Sequence, residues 1–87
     1  QGKVVVVTGG GGAIGLSVAR AFSKLGANLL LVDNDQGRLD SALSRLTPYD
    51  ASFSCDVTKK GSAEKIMEAA IWNFGGLDIL IANAILS

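Results

Sequence analysis

The residues with the most chemical potential in this 87-residue chain are glycines. They cluster in Thr8-Gly9-Gly10-Gly11-Gly12-Ala13-Ile14-Gly15, directly after an apolar run and before a helical pattern. Glycine permits a tight turn and lets another group come close to the backbone. A helix starting at such a turn offers unpaired N–H groups and a positive dipole end, which favour a phosphate or diphosphate. Gly9, Gly11, Gly12, Ala13, Ile14 and Gly15 are therefore candidate diphosphate contacts. The second candidate is Asp33, eighteen residues beyond Gly15 at the end of the next apolar run. A carboxylate there can accept hydrogen bonds from the two hydroxyls of an adenosine ribose, and its charge opposes a 2′-phosphate. Asn34 follows it, and no Lys or Arg occurs from Gly9 to Gly15 to pair with an added phosphate. Strand, glycine turn, helix and acid at this spacing together point to a dinucleotide, with NAD preferred over NADP. Asp33 is also open to a helix-capping role, for which Asp35 competes.

Those residues need elements to hold them. Lys3 to Thr8 is a β-branched run suited to a strand buried on both faces. Ile14, Val18, Ala21, Phe22 and Leu25 stripe one face of a first helix, which Gly26 ends. Asn28 to Asp33 reads as a second strand. Leu39, Ala42, Leu43 and Leu46 stripe a second helix that Pro48 stops, and Ala51 to Asp56 reads as a third strand. Ala63, Ile66, Met67, Ala70, Ile71 and Phe74 stripe a third helix ended by Gly75-Gly76, and Leu77 to Asn83 supplies a fourth strand. Strands alternating with amphipathic helices imply right-handed parallel β-α-β units. The expected fold is a Rossmann-type, doubly wound α/β sheet in the order 3-2-1-4, with two helices on one face and one on the other. Residues 1–87 read as one dinucleotide-binding domain, its N-terminal half, with no second domain. The pattern looks interrupted after the fourth strand, whose edge awaits the rest of the domain or a second copy of the chain.

Composition narrows the partners. Eight basic and eight acidic residues cancel, so no electrostatic footprint for nucleic acid or an anionic membrane exists. The apolar runs are far shorter than a membrane span needs, and no cleavable leader is evident, which together with a single cysteine makes a cytoplasmic location the expectation. With no histidine and one cysteine there is no zinc or redox motif. Cys55 reads as a small buried strand residue, Trp72 and Phe74 as packing residues, Tyr49 as a loop residue, and Lys59, Lys60 and Lys65 as a solvated helix surface.

The glycine motif resembles that of the short-chain dehydrogenase/reductase family, TGxxxGxG, here TGGGGAIG with Ala13 in place of the middle family glycine. The likeness covers the whole chain. It implies that Asp56, of an Asp-Val pair after the third strand, approaches the adenine, with Val57 as its wall; on the residues alone Asp56 could equally initiate a helix before Thr58. The family's Asn-Asn-Ala-Gly appears as Ala82-Asn83-Ala84-Ile85, after Leu77-Asp78-Ile79-Leu80-Ile81, which implies that Asn83 and Ala84 line the cofactor cleft. The resemblance also implies a catalytic serine and a Tyr-x-x-x-Lys pair, and neither is among these residues: four positions after Tyr49 stands Phe53. The expectation is the NAD(H)-binding half of an oxidoreductase acting on an alcohol/carbonyl pair, not turning over alone. The alternative is a free-standing nucleotide-binding or self-assembling module.

Overall fold

The computed structural model describes residues 3–76 and 78–82; the expectations for Asn83 and Ala84 lie outside them. In chain order the elements are β1 (Val4–Thr8), α1 (Ala13–Lys24), β2 (Asn28–Asp33), α2 (Gln36–Leu43), β3 (Ala51–Ser54), α3 (Ser62–Phe74) and β4 (Ile79–Ala82). The strands form one parallel sheet, β3-β2-β1-β4, with Val6 opposite Leu30 on one side and Leu80 on the other. All five residues of β1 are buried, as are Leu29 to Asp33, because helices cover both faces and leave no solvated side.

Alternation along the strands divides the core. Val5, Val7, Leu29 and Leu31 point to the side of α1 and α2, where Ala19, Leu39 and Ala42 meet them. Val6, Leu30 and Val32 point to the other side and meet Ile66 and Ala70 of α3. Two turns of chain lock this sheet at its entry. Val4 N–H donates to Asp78 Oδ2 at 2.8 Å while Asp78 N–H donates to Val4 O at 2.9 Å. On the other flank Asp50 Oδ1 accepts from Leu29 N–H at 3.0 Å, and its Oδ2 accepts from Thr47 N–H at 3.0 Å and Thr47 Oγ1 at 3.1 Å.

The structure corrects the helix faces. Of the expected α1 stripe, Ile14 and Leu25 are each 72% exposed and Ala21 is exposed too. The face laid on the sheet is centred on Gly15 and Ala19, with Leu16 and Phe22 flanking it. Small residues let the helix axis come close to a sheet already crowded with Val and Leu, so volume overrides hydrophobicity in choosing the inward face. In α3 likewise Ile66 and Ala70 face the sheet, whereas Met67 and Ile71 are exposed. Trp72, expected to pack, is 89% exposed. α2 ends at Leu43 rather than Leu46, the chain continuing in tight turns from Arg45 N–H to Ala42 O and Leu46 N–H to Leu43 O. β3 ends at Ser54, short of the expected Asp56.

The inward face of α1 is tested by stability. Ala19→Leu should cost about 1–3 kcal/mol by overpacking, whereas Leu25→Ala should stay within about 0.5 kcal/mol, both read from urea denaturation of the full chain.

Candidate functional site

The carboxyl ends of β1, β2 and β3 open onto one side of the sheet, where ligands settle in open α/β folds. After β1 the chain turns at Gly9, whose φ of +70° belongs to the left-handed region that glycine adopts at least cost. Gly11 is there for a different reason. A Cβ on it would lie 2.7 Å from Arg38 Cβ and 2.9 Å from Asp33 Oδ2, so the turn can approach α2 and β2 only without a side chain. Gly12 is less constrained, its would-be Cβ lying 3.6 Å from the nearest atom, Gly9 O. Gly12 is the N-cap of α1 and carries no capping side chain, and the first turn holds no acid. The N–H groups at the start of α1 therefore have no intrahelical partner and no acid of the helix's own first turn beside them.

Asp33 closes this turn onto the sheet. It is buried, with Oδ2 accepting from Gly11 N–H at 3.1 Å and Oδ1 accepting from Asp35 N–H at 3.1 Å. The helix cap is Asp35, whose Oδ1 accepts from Arg38 N–H at 3.1 Å. Asp33 thus orients the cap without being it, which resolves the two roles left open for that residue.

Around these groups lies a cleft of ≈ 560 Å³ lined by Gly9, Gly12, Ala13, Ile14, Gly15, Asp33, Asn34, Arg38, Cys55, Asp56, Val57 and Thr58. Most of the residues singled out in the sequence as cofactor contacts come together here. Gly11 does not line it, being turned toward Asp33 and α2. The exposure of Ile14 has a local explanation, since its side chain stands at the cleft instead of the core. Cys55 is corrected from a strand residue to a half-buried one just past β3, its N–H donating to Asp33 O at 2.8 Å.

Asp56 does not begin a helix, because α3 starts only at Ser62. Its Oδ1 instead accepts from Thr58 Oγ1 at 2.6 Å and Thr58 N–H at 2.9 Å. This turn ends β3 early and swings Asp56 and Val57 to the cleft. The two Thr58 hydrogen bonds, helped by Lys59, hold the Asp56 carboxyl below the usual carboxylate range.

Arg38 was missed by sequence reasoning. No cation stands from Gly9 to Gly15 or directly after Asp33, but one turn of α2 carries Arg38 back to the same place. Asp33 and Asp56 are the acids of the cleft, and Arg38 is the one cation among the described residues lining it. The only signal available in the sequence was the i, i+3 spacing of Asp35 and Arg38, which makes an ion pair with Nε 3.5 Å from Asp35 Oδ2.

The sheet with helices on both faces and a glycine turn opposite a strand-end acid define a Rossmann-like α/β fold. The short chain dehydrogenase family model matches residues 3–87, and the chain belongs to that family. It is 40% identical over 83 residues to the L-fucose dehydrogenase of Bos taurus, covering 95% of this chain and 30% of that protein. Among solved structures, it resembles a 3-ketoacyl-(acyl-carrier-protein) reductase from Brucella melitensis complexed with NADH, at TM-score 0.86 and 31% identity over 92% of this chain and 33% of that one. It also resembles the L-sorbose reductase of Gluconobacter frateurii complexed with NADPH and L-sorbose, at TM-score 0.90 and 34% identity over 99% of this chain and 34% of that one. The chain thus spans about a third of the length of these relatives. No helix among the described residues is long and apolar enough to cross a membrane.

Two outcomes test this geometry. Gly11→Ala should destabilise the fold by about 1–3 kcal/mol and Gly12→Ala by less than about 0.5 kcal/mol, compared by thermal unfolding. Thr58→Val should raise the Asp56 pKa toward the ordinary aspartate value, followed by carboxyl NMR titration. Because the folded-state pKa is lowered, the Asp56 contribution to stability is present above its unfolded-state pKa and is lost as pH falls through the folded one.

Proposed function

We propose that this chain is the adenosine- and diphosphate-binding part of an NAD-dependent oxidoreductase that interconverts an alcohol and a carbonyl. The observation that carries the reading is the meeting of Asp33 and the start of α1 in one cleft. A carboxylate that accepts from hydroxyls and a helix start that favours anions are the two complements of an adenosine diphosphate. The donor set fits that group on structural grounds. The first turn of α1 holds no acid and its N-cap no capping side chain, and the turn before it, Gly9 to Gly12, carries no side chain.

In this reading Gly9, Gly12, Ala13, Ile14 and Gly15 hold the diphosphate through backbone groups and close contact. Asp33 accepts from the ribose hydroxyls, with Asn34 beside it, and Asp56 and Val57 flank the adenine. Gly11 acts indirectly, by giving its N–H to Asp33 so that one carboxylate oxygen is oriented before any ligand arrives. Asn83 and Ala84 are assigned to the lining of the cofactor cleft by family resemblance alone. The chemistry the cofactor supplies when bound is hydride transfer between its nicotinamide ring and the substrate carbon. A serine and a Tyr-x-x-x-Lys pair to exchange the accompanying proton are to be sought in the protein beyond these residues. The negative charge of Asp33 favours NAD over NADP.

Calorimetric titration of the full chain with NAD, NADP and ADP tests the reading. NAD and ADP should both saturate, NAD binding more tightly than NADP. Asp33→Asn should weaken NAD by on the order of tenfold, as expected for lost hydrogen bonds to a charged acceptor, and should narrow the gap to NADP. A folded chain that binds neither NAD nor ADP would overturn it.

A further inference from the structure

We propose that the outer edge of the sheet, where β3 and α3 meet, is a self-association surface whose occupant is a second copy of this chain, related by a two-fold axis passing beside Phe53. This surface lies apart from the cofactor cleft and shares no lining residue with it.

The fold leaves three features of this edge without a use. Among the described strands β3 pairs with β2 alone, so its other side is open. The strand, Ala51–Ser54, carries no charge and no proline, the residues that ordinarily keep an open edge from pairing. Beside it lies a groove of ≈ 380 Å³ lined by Phe53 from the strand and by Lys65, Glu68, Ala69 and Trp72 from α3. Phe53 is half-buried against the α3 side of the core. Trp72, the single tryptophan of the chain, stands 89% exposed at the same groove.

The register decides how a second copy fits. Cys55 N–H donates to Asp33 O on β2 at 2.8 Å. By alternation along the strand Phe53 also turns its N–H and C=O toward β2, and Ser52 and Ser54 turn theirs outward. When two such edges pair antiparallel, Ser52 of one copy and Ser54 of the other exchange hydrogen bonds. Phe53 then meets its own counterpart in the closer, non-hydrogen-bonded pair. The two-fold axis is perpendicular to the joined sheet, so both α3 helices lie on one face and run in opposite directions.

The same axis sorts the charges. Lys65, Glu68 and Trp72 fall at i, i+3 and i+7 on one side of α3, and neither Lys65 nor Glu68 forms an ion pair among the described residues. Reversing the helix direction carries Lys65 of each copy toward Glu68 of the other, so the surface is its own complement, as an isologous interface requires. The two Trp72 rings cover the paired Phe53 rings. A buried tryptophan removes about 150–250 Å² from water, and with two short strands the total is on the order of 1,000 Å². That is the low end for specific association, which makes the dimer a reversible one.

Sedimentation of the full chain from about 5 μM to about 1 mM, with the Trp72 emission maximum followed over the same range, tests the proposal. The chain should pass from monomer to dimer, and the emission should move to shorter wavelength as the ring leaves water. Trp72→Ala and Lys65→Glu should each weaken the dimer on the order of tenfold while leaving the far-ultraviolet circular dichroism unchanged, since both positions are exposed. Adding Glu68→Lys to Lys65→Glu should return the dissociation constant to within about threefold of the original, because the reversed charges again face each other. A chain that stays monomeric throughout overturns the proposal. So does a dimer indifferent to Trp72→Ala, which places the contact elsewhere, or a double charge reversal weaker than the single one, which shows that Lys65 and Glu68 do not meet.

Discussion

One buried carboxylate holds the functional end of this fold together. Asp33 lies at the end of β2, almost without solvent exposure, and accepts from Gly11 N–H on one oxygen and Asp35 N–H on the other. The first bond ties the turn after β1 to the neighbouring strand. The second sets the residue that caps α2. Hydrogen bonds to a charged acceptor are worth more than neutral ones, and burial raises the cost of losing either partner. Three consecutive structural decisions, the path of the turn, the end of the strand and the start of the helix, thus share a single side chain.

The glycine turn is shaped by the same constraint. Gly11 approaches Asp33 and Arg38 so closely that no side chain fits, and Gly10 lies equally close to Leu31 on β2 and Val7 O. These two glycines serve packing against β2 and α2, while Gly9 supplies the reversal of direction. Gly12 faces the cleft with room to spare. A run that looks uniform in composition is therefore divided, residue by residue, between packing against β2 and α2 and lining the cleft.

Charge in the cleft is balanced more evenly than its strand-end acid alone implies. Two aspartates and one arginine line it, and the arginine also borders a second cavity with Arg45. The acid at the end of β2 and the base on α2 line the same cleft.

Much of the fold was legible because its signals are local. The β-branched run Val4 to Val7, the glycine turn and the helix stop at Gly75 each follow from backbone preferences of a few adjacent residues, and Asp33 announced itself by position after a strand. Inward helix faces were misread where hydrophobic periodicity competed with volume. Ile14 and Leu25 satisfy a helical stripe, yet Gly15 and Ala19 face the sheet, because only contact with Val5, Val7 and Leu31 reveals how little room remains there. The strand expected to reach Asp56 ended at Ser54, because the hydrogen bonds of Asp56 to Thr58 outweigh continuation of an extended run. By itself the sequence determined the alternation of elements, the glycine turn and the acid opposite it, since these depend on local spacing. Only the tertiary structure decided that Gly11 supports Asp33 from behind and that Arg38 joins the cleft, because both require β1, β2 and α2 to be brought side by side.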